Sequence, residues 1–166
     1  MLKGLQKNDG RGRETSTPIR PVKLILNGDY IGSVLDYINA ATDDIAICAY
    51  AWRWYMNEPD LYMQKFNVAI LRAVGRGVKV RVICDNEMTY ALLKKAGVNV
   101  KYVRGNRVMH IKAICIDYKV LVLGSHNLTK NATQNNYEAS VIITEFEPIE
   151  QFMRYFNGIW GQLHES

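Results

Sequence analysis

The 166-residue sequence has little cysteine and no long apolar run. No apolar stretch approaches the roughly 20 residues that a transmembrane helix requires, and the N-terminus does not resemble a secretory signal peptide. The three cysteines, Cys48, Cys84 and Cys115, each lie in an apolar run, and no two of them have the spacing of metal ligands. Buried, reduced thiols are their expected state. We therefore expect a cytoplasmic protein without a transmembrane segment.

Acidic residues are absent from residues 88–116, whereas basic residues recur there: Lys94, Lys95, Lys101, Arg104, Arg107 and Lys112. A segment of one charge sign attracts polyanions. Lys94 and Lys95 are equally well explained as part of a solvated face. Arg104 and Arg107 lead directly into the segment around His110, and we expect them to bind substrate.

The first 20 residues differ in composition from the rest, being poor in apolar residues and rich in Gly, Arg, Lys, Thr and Ser. This composition predicts a basic, flexible tail over residues 1–20. Residues 1–23 hold six basic and two acidic residues, which is +4 of the net charge of +5. The net charge alone is therefore weak support for a folded unit that binds nucleic acid. Residues 21–166 have a length typical of one folded domain.

Hydrophobic periodicity predicts strands alternating with helices over the first hundred residues. We expect strands at 22–26, 45–51, 78–84, 98–103, 108–116, 120–123 and 137–144. Helices are expected at 29–42, 59–74, 89–96 and 148–163. This order favours an α/β fold in which helices cover both faces of a mixed β-sheet.

An aromatic segment, Tyr50 to Tyr55, follows the second expected strand. In open α/β sheets, ligands bind beyond the carboxyl ends of the strands. Trp52 and Arg53 are therefore candidates for binding substrate, with Trp54 beside them. Packing in the core, or against a partner, explains the tryptophans at least as well.

The chemically informative residues lie in an expected hairpin around residues 117–119. Strand side chains alternate between faces, so His110 and Lys112 point the same way, about 7 Å apart. The returning strand brings Ser125 and Asn127, which share a parity, towards the same point. An imidazole, an ammonium, a hydroxyl and an amide together suit a phosphoryl group, because they supply one nucleophile, one fixed charge and several donors.

These residues follow the pattern His-x-Lys, four residues, Asp, six residues, Gly-Ser-x-Asn, in which Gly124 is the glycine and Asp117 the acid. The pattern resembles the signature of the phospholipase D superfamily. The downstream Tyr137-Glu138 pair also resembles that family, in which a glutamate shortly after the signature orients the histidine. A looser likeness in the order of elements extends over residues 22–163.

The resemblance implies a metal-independent, cofactor-free phosphodiesterase. His110 would attack phosphorus and form a phosphohistidine, which water then hydrolyses. Lys112 and Asn127 would bind phosphate oxygens, supported by Ser125, while Glu138 would hydrogen-bond the far ring nitrogen of His110. Asp117 has the opposite parity, for which we expect a structural role ahead of direct chemistry.

The resemblance also implies a homodimer, because this chain carries one copy of a motif that larger relatives carry twice. The second histidine, which protonates the leaving oxygen, would come from the partner. His126 has the wrong parity and is expected to pack or face solvent, and His164 lies in a polar tail.

Three functions are compatible with these residues. The first is an endonuclease that cleaves DNA or RNA, supported by the basic segment and by the small single-motif relatives. The second is a phospholipase D-type lipid hydrolase, for example of cardiolipin. The third is a non-catalytic nucleic-acid-binding module, against which the intact motif argues.

Overall fold

A computed structural model of the chain describes residues 22–163. Within that range the chain forms seven strands: β1 Val22–Leu26, β2 Asp44–Ala49, β3 Lys79–Cys84, β4 Asn99–Tyr102, β5 Ala113–Ile116, β6 Val120–Gly124 and β7 Ala139–Ile143. Five helices accompany them: α1 Asp29–Ala40, α2 Tyr62–Gly75, α3 Glu87–Lys95, α4 Lys130–Gln134 and α5 Phe146–Gln162. The expected tail, residues 1–20, and His164 lie outside the described residues.

All seven strands form one sheet in the order β1-β7-β6-β5-β2-β3-β4. Strands β2, β3 and β4 are parallel to one another, whereas β5 runs antiparallel to β2. The remaining pairs, β5 with β6, β6 with β7 and β7 with β1, are antiparallel. The expected mixed sheet is confirmed.

Helices cover both faces of this sheet, because the central strands alternate buried side chains between two hydrophobic clusters. Ile45 and Ile47 of β2 pack with α1, α2 and α3 on one face. Cys48 of the same strand packs with Met153 and Phe156 of α5 on the other. All three cysteines are buried and free, and burial raises the pKa of Cys48 to about 12. The α/β architecture expected from the sequence is confirmed.

The strand expected at 108–116 is shorter than predicted, since β5 begins only at Ala113. Its neighbour β2 ends at Ala49, and the last pair between them is Cys48 with Ala113. Residues 108–112 therefore extend beyond the sheet and do not belong to a β-ladder. Helix α4, which is not among the expected helices, has five residues, and its N-cap, Thr129, accepts a hydrogen bond from the Ala132 N–H.

The register of the central strands brings four chain segments to one edge of the sheet. Cys48 pairs with Ala113, Ala113 with Leu123, and Gly124 with Ser140. The segments just beyond these pairs, around residues 50, 112, 125 and 138, consequently meet at this edge. None of the helices within residues 22–163 is long and apolar enough to cross a membrane.

Candidate active site

His110 and Lys112 meet at the edge of the sheet described above. The Nζ atom of Lys112 lies 3.1 Å from Nε2 of His110 and donates to the His110 carbonyl oxygen at 2.8 Å. An ammonium group only donates hydrogen bonds, so Nε2 faces Lys112 with its lone pair. His110 is exposed. The site therefore presents an accessible imidazole nitrogen beside a cation.

Tyr50 is the third member of this group, and the sequence analysis did not assign it to the site. Its ring centroid lies 4.8 Å from that of His110, and Nζ of Lys112 lies 4.9 Å from the Tyr50 centroid. Burial lowers the pKa of Lys112 below its ordinary value, while the negative charge of Glu138 acts in the opposite direction. The position of Tyr50 just after β2, which pairs with β5, was the available signal.

Ser125 and Glu138 form a pair next to Lys112. The Ser125 hydroxyl donates to Oε2 of Glu138 and accepts the N–H of Ala139 at 3.1 Å. The other carboxylate oxygen, Oε1, accepts from Asn136 at 3.0 Å. The expected bond from Glu138 to the ring of His110 is not among the contacts of residues 22–163. Glu138 directly precedes β7, and Ser125 follows its partner β6, so the pairing of these strands aims the carboxylate at Ser125.

Asn27 fixes the backbone of Glu138 from a distant part of the chain. Oδ1 of Asn27 accepts the Glu138 N–H at 2.9 Å, and the Asn27 N–H donates to the Glu138 carbonyl at 3.0 Å. Asn27 adopts a positive φ of 48°, which asparagine tolerates better than most residues. This attachment of the segment between β1 and α1 to the site was not expected from the sequence.

His126 lies behind this site rather than in it. It is fully buried, stacks on Tyr30 with ring centroids 4.4 Å apart, and lies 2.7 Å from the Ser140 hydroxyl. Its Nε2 atom donates to the Asn27 carbonyl at 2.9 Å, since a carbonyl only accepts. Burial lowers the pKa of His126, against the opposing effects of the Asn27 bond and Glu138. Of the two expected roles, packing in the interior and exposure to solvent, the structure shows packing.

Asn127 carries an amide oxygen that is buried and has no hydrogen-bond partner within residues 22–163. A buried polar atom without a partner costs about 1–3 kcal/mol. An amide oxygen only accepts hydrogen bonds, so a phosphate oxygen would have to bind the NH2 group of this side chain. The phosphate-binding role expected for Asn127 stays a prediction.

Asp117 ties the β5–β6 turn to the start of β2. Its carboxylate accepts the backbone N–H groups of Thr42, Asp43 and Asp44 at 3.0, 2.9 and 3.0 Å. Partial burial alone would raise the pKa of this carboxyl, but the three donors hold it below its ordinary value. The structural role expected for Asp117 agrees with this geometry.

Of the two roles left open for Trp52, binding of substrate and packing in the core, the structure shows packing in the core. Trp52 is 2% exposed and donates its indole N–H to Oδ1 of Asn67 at 2.7 Å. Its backbone forms an isolated β-bridge with Leu128. Arg53 is exposed and lines a separate cavity of about 280 Å³ with Trp54.

Arg104 and Arg107 are exposed and line a groove that also contains His110. We call this cavity of about 490 Å³, which lies between residues 103–111 and the C-terminal half of α5, the α5 groove. Both arginines therefore lie in the same recess as His110. Within residues 22–163 no group of three or more His, Cys, Asp or Glu side chains could hold a metal ion.

Comparisons with known proteins identify the family and the fold of this chain. A family model described as "Cardiolipin synthase, PLD-like domain" matches residues 34–160. Mitochondrial cardiolipin hydrolase from Mus musculus is 32% identical over 148 residues, which is 86% of this chain and 63% of the mouse protein. This chain therefore spans less than two thirds of that relative.

Two solved structures share the fold. NucT from Helicobacter pylori superposes with a TM-score of 0.73 at 24% identity, covering 87% of this chain and 99% of NucT. Nuc from Salmonella typhimurium, a phospholipase D family member, gives a TM-score of 0.71 at 24% identity, covering 87% of this chain and 98% of Nuc.

Proposed function

The chain belongs to the phospholipase D superfamily, and we propose that it is a phosphodiesterase whose nucleophile is Nε2 of His110. The observation that supports this proposal is the contact of 3.1 Å between that nitrogen and Nζ of Lys112. The lone pair of Nε2 lies next to the ammonium group of Lys112, which can also bind a phosphate oxygen. When a phosphodiester binds, one of its oxygens would accept the hydrogen bond from Lys112, and its phosphorus would lie next to the imidazole of His110.

The proposed reaction has two displacements at phosphorus. In the first, Nε2 forms a bond to phosphorus while the bond to the leaving oxygen breaks, and an acid protonates that oxygen. In the second, the deprotonated acid takes a proton from water, the water oxygen bonds to phosphorus and the phosphorus–nitrogen bond breaks, which regenerates both His110 and the acid. Lys112 and Asn127 stabilise the charge on the non-bridging oxygens, so the proposed chemistry needs no metal. Ser125 and Glu138 support them.

The acid must lie opposite the nucleophile, because attack and departure are in line. Within residues 22–163 the other histidine, His126, is buried and bonded to Asn27. We infer that a second His110, supplied by a twofold-related chain, is the acid. Light scattering should then give about twice the 19.0 kDa chain mass, and adding excess His110→Ala chains should inhibit wild-type chains by forming mixed dimers. Full activity of a monomer would refute the shared site.

Nucleic acid is the substrate class we propose, with endonucleolytic cleavage of DNA or RNA. Arg104 and Arg107 support it, since both are exposed on the groove that contains His110. Guanidinium groups bind phosphate backbones irrespective of base sequence.

Lipid hydrolysis is the second candidate, because the mouse relative is named as a cardiolipin hydrolase. That name also places the relative in mitochondria, so the cytoplasmic location expected from the sequence stays a prediction.

One experiment separates these functions. The full chain is incubated in EDTA with labelled single-stranded DNA, double-stranded DNA, RNA and cardiolipin vesicles, with His110→Ala as the inactive control. We expect cleavage of at least one nucleic acid, abolished by the substitution. Turnover of cardiolipin without nucleic-acid cleavage would replace the first candidate by the second, and no turnover of any substrate would contradict both.

A further inference from the structure

The α5 groove combines features that the fold itself does not require. Val108 and Tyr155 are large side chains that are 64% and 58% exposed, and both line the groove. Tyr155 and Ile159 are four residues apart on α5, so they share one face of the helix. Met153 and Phe156 of α5 are buried against the sheet, and Ile159 packs against the same cluster. Tyr155 is exposed, so the fold does not depend on its burial, and its ring lies in the groove that also contains the proposed nucleophile.

The charges around the groove are of one sign. Its lining contains Arg104 and Arg107 but no carboxylate. Neither arginine has an ion-pair partner among the described residues. The guanidinium of Arg104 lies 5.9 Å from the ring centroid of Tyr102, a contact that favours its position at the rim. An occupant is therefore expected to carry negative charge as well as an apolar, flat surface.

We propose that the α5 groove is a nucleoside subsite for the nucleotide next to the scissile phosphate. The base stacks on Tyr155 and covers Val108, and the outer phosphate of that nucleotide pairs with Arg104 and Arg107. This inference rests on the proposed function, since it assumes that a nucleic acid is cleaved at His110. A nucleotide matches the groove in two ways. The planar, apolar face of its base suits the ring of Tyr155, and its negatively charged phosphates suit Arg104 and Arg107. Stacking tolerates any base, so the subsite binds without a strong sequence preference.

The test removes the two stacking partners separately and together. A single-stranded oligonucleotide that the protein cleaves at one position is compared with the same strand lacking the base beside that position. Both strands are assayed with wild type and with Tyr155→Ala. For wild type, loss of the base should lower kcat/KM about ten-fold, as expected for one base–aromatic stack. For Tyr155→Ala, the intact strand should be cleaved about ten-fold more slowly than by wild type, and loss of the base should have no further effect.

Tyr62→Ala is the matched control. Tyr62 is 57% exposed, almost as much as Tyr155, but it begins α2 on the opposite face of the sheet. This variant should retain the ten-fold discrimination between the two strands. If Tyr155→Ala also retains it, the subsite is refuted while the nuclease function stands. If wild type cleaves no oligonucleotide and Tyr155→Ala instead slows cardiolipin turnover, an acyl chain occupies the groove, and both the subsite and the nuclease function are overturned.

Discussion

Gly124 of the motif should be the position least tolerant of a single added methyl group. A Cβ atom placed there would contact Oγ and Cα of Ser140 and lie 2.5 Å from the Ala139 carbonyl oxygen. Two of these three atoms belong to the backbone of β7, which pairs with β6 at this point. They cannot move away without breaking that pairing. We therefore expect Gly124→Ala to open the end of the β6–β7 ladder.

The magnitude follows from the contacts. Overpacking a rigid site commonly costs about 1–3 kcal/mol and occasionally more. Because the obstacle here is paired backbone rather than a flexible side chain, we expect at least about 3 kcal/mol. For a chain of this size that loss lowers Tm by roughly 6–12 °C. Even the fraction of molecules that stays folded should lose activity. Ser125 directly follows the displaced residue, and the Gly124 N–H donates to the Lys112 carbonyl at 3.3 Å, so both site residues would shift with it.

Urea unfolding and differential scanning calorimetry measure the loss, and Gly32→Ala is its control. Gly32 lies within helix α1, where an added Cβ meets nothing within 4 Å. This substitution should stabilise the protein by about 0.5–1 kcal/mol, because alanine favours the helix. The two glycine-to-alanine changes thus have opposite signs. A destabilisation below about 0.5 kcal/mol at Gly124 would refute the reasoning.

Three further predictions concern single groups. His110→Ala should abolish turnover with little change in stability, whereas His126→Ala should leave the chemistry intact but destabilise the fold by about 3 kcal/mol, because it empties a buried site. Reversal of these two results in paired activity and unfolding assays would place the nucleophile at His126. Activity should survive millimolar EDTA, and dependence on added magnesium would contradict the proposed roles of Lys112 and Asn127. Asp117→Asn should cost about 1–2 kcal/mol at neutral pH, because an amide cannot accept all three N–H groups. The folded-state pKa of Asp117 is depressed, so its contribution is complete above the unfolded pKa of about 4 and disappears as pH falls through the folded pKa. A difference that stays constant between pH 7 and pH 2 would exclude this mechanism.

Strand parity was enough to predict that the side chains of His110 and Lys112 lie together. His110 and Lys112 are two residues apart, and their side chains meet even though residues 108–112 lie outside the ladder. The hairpin is local in sequence, so its turn fixes which residues of β5 and β6 come together. Gly124 consequently lies beside Lys112, as the hairpin predicts.

Contacts between distant segments could not be predicted in the same way. The bond between Asn27 and Glu138 joins residues 111 apart in the sequence, and it depends on β1 pairing with β7 at the edge of the sheet. The hydrophobic periodicity of a single segment predicts a strand, but it does not predict which strand will be its neighbour in the sheet. Trp52 shows the same limit, since its burial is decided by Asn67 on α2 and by the bridge to Leu128. Its position after a strand made it a candidate for binding, with packing in the core as the alternative, and only the tertiary structure decides between the two.

The motif residues and the α5 groove are proposed to bind different parts of the substrate. Lys112 and Asn127 are proposed to act on the phosphoryl group, which DNA, RNA and phospholipids share, so these residues cannot distinguish one substrate from another. The distinction must come from what flanks that group. The base of a nucleoside is planar, whereas an acyl chain is flexible; a second phosphate is present both in a nucleic acid and in cardiolipin, so the planar base is the feature that differs. Tyr155 offers an aromatic ring in the same recess as the arginines, and a ring suits a planar base better than an acyl chain.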